Sequence, residues 1–425
     1  MIIFCSGIGG IGLSALAAIR KLRGDDVHGS DRSESALLDD LRSQGLHVTT
    51  DQSGVAIPAG CKLLIYSEAI PPEAPERQKA TELGIRQISY PEALGEMTAG
   101  YRSIAVCGTH GKSSTTAMSA RLLIEAGLDP TVVVGTKLKE LGGRNWRVGK
   151  SDLFVLEACE YKRSFRFYKP EVILLTNADG DHFDYYTSAA DYRAAFDDFV
   201  ATVPPNGALI THMQDPDCIA IAQKSGKRII DADGFPMITL HTPGVHMQKN
   251  AQLALGLAAY LKIPTETAQT AVGGYAGSWR RLEVKGMYKG SIPVIDDYAH
   301  HPAELKATIS AIRSAYPDKR LVAVFQPHTH DRTNKLYADF VTAFPGVDLL
   351  FLTDVYDARK EYNTKKVNMP RFVGDISRES NVATGWTGTL DQTRERLASE
   401  LQDNDVLLCM GAGDITNLAG KIATS

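Results

Sequence analysis

Residues 102–127 read RSIAVCGTHGKSSTTAMSARLLIEAG. The β-branched, apolar run at 103–107 has the pattern of a buried strand, and Gly108-Thr109-His110-Gly111-Lys112-Ser113 follows it directly. Met118, Leu122 and Leu123 then fall on one apolar stripe of a helix, and Gly127 stands where a helix C-cap belongs. Strand, glycine loop and helix in that order suit a nucleoside triphosphate. Glycines let backbone N–H groups approach phosphate oxygens, and the helix N-terminus adds partial positive charge. Lys112 can bridge the β- and γ-phosphates, and the Ser113 hydroxyl suits a Mg²⁺ ligand. Position 106 is Val, so the loop is a shortened G-T-x-G-K-S variant of the usual G-x-x-x-x-G-K-[ST] pattern.

A second glycine loop lies at the start of the chain. Gly7-Ile8-Gly9-Gly10-Ile11-Gly12 follows an apolar run at 2–5 and precedes a helical stretch at 14–22. Asp31 closes the next apolar segment, where a dinucleotide fold would keep its ribose-binding acid. Two phosphate-type loops on one chain require two ligands.

At 425 residues the chain is too long for one core. Its 44% apolar and 23% charged content is that of a water-soluble globular protein. A net charge of −4 offers no general attraction to nucleic acid or anionic membrane. The six cysteines show no C-x-x-C pair and no zinc spacing, as expected of free thiols in a reducing compartment. The N-terminus lacks a basic n-region, and no apolar stretch reaches bilayer length, so a cytoplasmic protein is expected.

Further strands are expected at 26–29, 63–67, 153–156, 172–176, 208–211, 294–296, 321–325, 349–353 and 406–410, alternating with helical segments. That alternation predicts an α/β fold with mostly parallel sheets. Joints at residues 95–100 and 273–277 divide the chain into three modules: 1–98, 99–273 and 274–425. Open α/β sheets place ligand residues at the C-terminal strand edge. Glu157 and Glu160 stand at such an edge, as do Asn177, Asp181, His182 and Asp184. Later loops carry Asp296, Asp297, His300 and His301, and then His328, His330 and Arg332, while Arg281 lies at the second joint. The adjacent histidines cannot share one helical face, which excludes a zinc-type i,i+4 pair.

Taken in order, GIGGIG, GTHGKS, TNADGDHFD, the RR before a strand, DDYAHHP, FQPH with Arg332, and MGAGDI resemble the Mur ligase family. These are the ATP-dependent amino-acid ligases of peptidoglycan synthesis, and the resemblance spans essentially the whole chain. It implies a Rossmann-like N-terminal UDP-sugar domain, a central P-loop ATPase-type domain and a C-terminal Rossmann-like domain. By that resemblance Gly7, Gly9, Gly10, Ile11, Gly12 and Ser67 bind the UDP-sugar. Gly108, Thr109, His110, Gly111, Lys112, Ser113 and Ser114 bind the ATP phosphates. His246 and Asn250 serve the adenine side, Arg281 a phosphate and Asp297 the ribose. Ser113 and Glu157 would hold one Mg²⁺ (or Mn²⁺), and His182 a second. Tyr298, His300, His328 and Arg332 would line the amino-acid and acyl end. The residues implied in catalysis are Lys112, Glu157, His182, Arg281 and His300.

The chain departs from the family pattern at Met247, at Cys159 and across Thr329, His330 and Asp331. Phe196 stands where sibling ligases carry a carbamylated lysine, which points to the alanine-adding branch. The implied partners are UDP-N-acetylmuramate, L-alanine and ATP, in a monomer or homodimer, without nucleic acid or membrane insertion. Two rival readings are a murein-recycling ligase that adds a tripeptide to the same sugar and a dinucleotide oxidoreductase. The second leaves GTHGKS and DDYAHHP without a role. Lys112→Ala is expected to abolish amino-acid-dependent ADP release while leaving UDP-sugar binding largely intact. Equal turnover by variant and wild type would overturn the assignment.

Overall fold

The computed structural model describes residues 1–180, 185–357 and 365–424. Its first sheet contains β1 (Ile2–Ser6), β2 (Asp26–Ser30), β3 (His47–Thr49), β4 (Leu63–Tyr66) and β5 (Arg86–Ser89). They lie in the order β3-β2-β1-β4-β5, and every pairing is parallel. The chain therefore reverses direction of travel across the sheet at β1, which is where an open α/β sheet leaves its ligand crevice.

The second sheet is built from β6 (Arg102–Cys107), β7 (Thr131–Leu138), β8 (Arg144–Arg147), β9 (Leu153–Glu157), β10 (Val172–Leu175), β11 (Ala208–Thr211) and β12 (Ile229–Asp231). Its order is β12-β11-β10-β6-β9-β7-β8, with only β7 and β8 antiparallel. The third sheet comprises β13 (Glu283–Tyr288), β14 (Ile292–Asp297), β15 (Arg320–Phe325), β16 (Leu349–Thr353), β17 (Ala383–Gly388) and β18 (Asp405–Met410). Here the order is β13-β14-β18-β15-β16-β17, and only the β13–β14 pair is antiparallel.

The central strands are buried on both faces, which is why they are continuous apolar runs rather than alternating ones. All the expected strands form. β3, β5, β7, β8, β12, β13 and β17 were not expected from the sequence. β3 and β12 are three residues long, and β17 reads ATGWTG, too rich in glycine to stand out as a strand. Helix Tyr90–Thr98 ends within the expected joint, and Gly95 lies inside that helix. A Cβ at Gly95 would strike the Phe167 carbonyl, so glycine there allows close packing rather than a break.

The chain forms two compact units, Met1–Ile238 with Lys249–Gly274, and Thr239–Gln248 with Tyr275–Ser425. Within the first unit one apolar core runs from Ile3 and Leu16 to Phe154 and Phe199, joining two sheets. Asn145 Nδ2 reinforces this by donating to the Ile11 carbonyl at 2.6 Å. In the second unit, separate apolar layers cover the two faces of the third sheet, one around Phe325 and Phe344, the other around Val324 and Leu418.

Phe196, on helix Ala189–Ala201, is wholly buried and packs edge-on to Phe165 and Tyr192, with ring centroids 5.4 and 5.2 Å away. Phe196→Ala is expected to cost about 3–5 kcal/mol of stability, read as a lower urea midpoint. A midpoint equal to wild type would contradict this packing role.

Candidate active site

β6 delivers the chain into the phosphate loop at its C-terminal edge. Gly108 has φ +136° and Gly111 φ +80°. A Cβ on Gly108 would strike Thr176 Oγ1, and one on Gly111 would lie 2.5 Å from Asn250 Oδ1. Both positions thus require glycine for backbone conformation and for space. The loop is tied down from β10's edge, because Thr109 N donates to the Asn177 carbonyl at 3.1 Å and His110 N to Asn177 Oδ1 at 2.9 Å.

Helix Lys112–Glu125 starts at the loop's end and is closed by Gly127, which has φ +73°. Lys112 Nζ donates to the Gly108 carbonyl at 2.5 Å, to the Thr109 carbonyl at 3.0 Å and to Glu160 Oε1 at 3.1 Å. Burial opposes charge on this lysine, but Glu160, with Glu157 adding, outweighs it and raises its pKa above the ordinary value. Lys112 is therefore a fixed cation. Beside it, Ser113 Oγ donates to Glu157 Oε1 at 3.1 Å, while Gly135 N donates to Glu157 Oε2 at 2.9 Å. A hydroxyl and a carboxylate side by side are hard oxygen donors that fit a divalent cation such as Mg²⁺. Ser114 is buried in the first helical turn. Asn250, on helix Val245–Tyr260, stands against Gly111. Asp181, His182 and Asp184 lie outside the described residues.

The N-terminal loop leaves β1 in a similar way. Gly7, at φ +79°, would place a Cβ 3.0 Å from Ser67 Cβ, so loop and Ser67 are immediate neighbours. Gly12 is crowded by the Tyr90 ring, and Gly10 precedes helix Ile11–Leu22. Asp31, which sequence reasoning left without a role, accepts from Gly9 N through Oδ2 at 2.8 Å. It organises the loop itself.

The remaining expected residues belong to the second unit. Arg281 lies over the Tyr298 ring, 5.2 Å from its centroid. Asp297 is buried and its carboxylate accepts from Leu282 N at 2.7 Å, Ala299 N at 2.9 Å and Thr308 Oγ1 at 3.1 Å. Burial raises its pKa, against the lowering pull of Arg281 and these backbone donors. Asp297 thus fixes the turn that carries Tyr298 and His300.

The two adjacent histidines separate in role. His301 caps helix Pro302–Ala315, accepting from Ala303 N at 3.4 Å, whereas His300 turns toward His328, with ring centroids 5.8 Å apart. His300 Nδ1 lies 3.0 Å from the Tyr298 carbonyl, which can only accept, so Nδ1 carries a proton, and Glu304 Oε2 stands 3.3 Å from the same nitrogen. His328 Nδ1 is instead an acceptor, because Arg332 Nη1, which can only donate, faces it at 3.3 Å. The varied Thr329 caps helix His330–Lys335.

Two residues here escaped the sequence reading. Tyr356 stacks on His328 with centroids 5.8 Å apart, and its place just beyond β16 was the available signal. Arg280, rather than Arg281, is the buried member of the RR pair. Its guanidinium donates to the Gly413 carbonyl at 2.8 Å and also to the Gly411 carbonyl. Two adjacent arginines gave no sign of which would turn inward.

A phosphate loop that opens a helix, with an oxygen-donor pair beside its lysine, places the chain among enzymes that act on nucleoside triphosphates. Family profiles narrow this class. Residues 3–102 match the Mur ligase family catalytic domain, 106–235 the Mur ligase middle domain, and 280–413 the Mur ligase glutamate ligase domain. The chain belongs to the Mur ligase family. It is 36% identical over 437 residues to the UDP-N-acetylmuramate–L-alanine ligase of Clostridium novyi, covering 96% of this chain and 94% of that one. The enzyme of the same name from Aquifex aeolicus is 35% identical over 438 residues, with coverage of 96% and 94%. Among solved structures, the UDP-N-acetylmuramate–alanine ligase of Thermotoga maritima superposes with a TM-score of 0.82 at 24% identity, covering 100% of this chain and 98% of that one. A murein peptide ligase from Psychrobacter arcticus gives 0.74 at 20% identity, with the same coverage. These structural likenesses concern the fold.

His246 supplies a pH signature. Burial first, then the Arg281 guanidinium, push it from 6.5 down to about 4, against the upward pull of Glu304. Between those values the unfolded chain holds a proton that the folded chain does not, so stability falls as pH drops through the window. Relative to His246→Gln, wild type is expected to lose about 1–2 kcal/mol between pH 7 and pH 5, measured by urea unfolding. Parallel losses in both proteins would contradict it.

Proposed function

We propose that this chain joins L-alanine to the muramyl carboxylate of UDP-N-acetylmuramate, with ATP cleaved to ADP and phosphate. The observation that carries the reading is the fixed Lys112 cation in a glycine loop with the Ser113–Glu157 pair at its side. The substrate assignment draws on the curated relatives, whose printed name is that of the alanine ligase.

In this reading a carboxylate oxygen of the sugar attacks the γ-phosphorus, and the bond to ADP breaks to leave an acyl phosphate. Lys112 and Arg281 neutralise charge as it moves between phosphates, the main catalytic term in phosphoryl transfer. Ser113 and Glu157 are the residues that would hold Mg²⁺ (or Mn²⁺), which supplies Lewis-acid neutralisation of the phosphate oxygens when bound. The alanine nitrogen then attacks the acyl carbon and expels phosphate. One ammonium proton must leave beforehand and one more after attack. His300, whose ring is held through Nδ1 at the Tyr298 carbonyl, is the group that we assign to accept one of them. Tyr298, His328 and Arg332 orient the acyl and amino-acid groups. The N-terminal glycine loop and Ser67 hold the UDP-sugar, and His246, Asn250 and Asp297 serve the nucleoside of ATP. The protein works in the cytoplasm, as a monomer or homodimer.

The direct test is ADP release with UDP-N-acetylmuramate and each amino acid in turn, alongside the tripeptide L-Ala-γ-D-Glu-diaminopimelate. L-Alanine is expected to give the highest kcat/KM. Preference for the tripeptide would transfer the chain to the recycling reaction, and ADP release independent of any acceptor would overturn ligation.

A further inference from the structure

Glu76 is almost wholly buried, 1% exposed, in the first turn of helix Pro75–Glu82. Its two carboxyl oxygens go to different serines: Ser6 Oγ donates to Oε2 and Ser30 Oγ to Oε1. Those serines are the last residues of β1 and β2. Their carbonyls in turn hold the sugar-nucleotide elements. Ser30 O accepts from Gly7 N and Ile8 N, each at 2.9 Å, and Ser6 O accepts from Ser67 N at 3.0 Å. One buried carboxyl group therefore ties together the strand ends that carry the glycine loop and Ser67.

The helix bearing Glu76 is anchored in its turn. Arg77 lies over the Tyr66 ring at 3.7 Å and donates to the Ile70 carbonyl and Gln87 Oε1, each at 3.2 Å. Loop, strand ends and helix are thus linked through one acid that the proposed chemistry does not otherwise use. Burial raises the Glu76 pKa, the two serine hydroxyls pull it down, and Asp51 and Asp31 push it up. A buried carboxyl is costly unless its hydrogen bonds are met, and here the two strand-end serines meet them beneath a diphosphate-type loop.

We propose that Glu76 is a positioning residue for the sugar-nucleotide half of the reaction, holding Ser6 and Ser30 so that the Gly7–Gly12 turn and Ser67 keep the register a nucleoside-diphosphate sugar requires. This rests on the reading of the N-terminal loop as the UDP-sugar site. A purely structural acid would alter stability without singling out one substrate.

The test is steady-state kinetics of wild type, Glu76→Gln, Glu76→Ala and Ser30→Ala, with KM measured separately for UDP-N-acetylmuramate and ATP. Glu76→Ala is expected to raise the sugar-nucleotide KM about tenfold, leaving the ATP KM and kcat unchanged. Gln can accept from one serine and donate to the other, so Glu76→Gln is expected to restore most of the sugar-nucleotide affinity. An unchanged sugar KM in Glu76→Ala, equal rises in both KM values, or a Gln variant as poor as Ala would overturn the proposal. If Glu76→Ala does not fold, Ser30→Ala decides by the same split between the two KM values. Should wild type show no alanine-dependent ADP release, the ligase reading fails. Calorimetric binding of UDP-N-acetylmuramate to wild type and Glu76→Gln, with Ser30→Ala as the weakened case, then tests Glu76 on its own.

Discussion

A lysine ammonium held by two loop carbonyls and a buried carboxylate is the constraint on which the first unit depends. Lys112 meets the loop carbonyls where Gly108 takes a positive φ, and Thr176 Oγ1 fills the space a Cβ would need, so only glycine fits there. Glu160 must then follow β9 closely enough to meet the lysine, which requires β9 to pair with β6. β10 flanks β6 on the other side and brings Asn177 to the loop backbone. The order of the central strands, and not merely their presence, is what assembles a phosphate-binding geometry.

The second unit solves a different problem, the orientation of imidazoles. The Nδ1 atoms of its two facing histidines meet unlike partners, His300 an acceptor and His328 a donor. At Nδ1 the two rings therefore differ, one carrying a proton and the other accepting one. Neither arrangement depends on a neighbouring charge alone, since a backbone carbonyl and an arginine, both fixed in their hydrogen-bonding sense, impose them. Asp297 contributes from below by holding the turn through backbone donors.

Much of this was legible in the chain. Both glycine loops, the strands that feed them, and the carboxylates at strand ends followed from apolar runs, glycine spacing and the rule that ligands gather at the C-terminal edge. Short edge strands were not legible, because three residues such as His47–Thr49 carry no period. The inward turn of Arg280, the role of Asp31 and the tie made by Glu76 were also hidden. Each depends on a partner 22 to 133 residues away in the sequence. An acid after a proline reads as an ordinary helix start, and only tertiary packing shows that it points into the core. The close approach of Gly95 to the Phe167 carbonyl was hidden for the same reason.

The position of β18 has a consequence for biosynthesis. It is the last of the described strands, yet it lies between β14 and β15, and Arg280 reaches the carbonyls just beyond it. A ribosome-bound chain that has exposed β14 to β17 thus holds two strand edges with no partner, and a guanidinium whose buried acceptors have yet to be made. The third sheet cannot close progressively as it emerges. Its central ladder needs residues 405–410, so this sheet can be completed only once that strand is available.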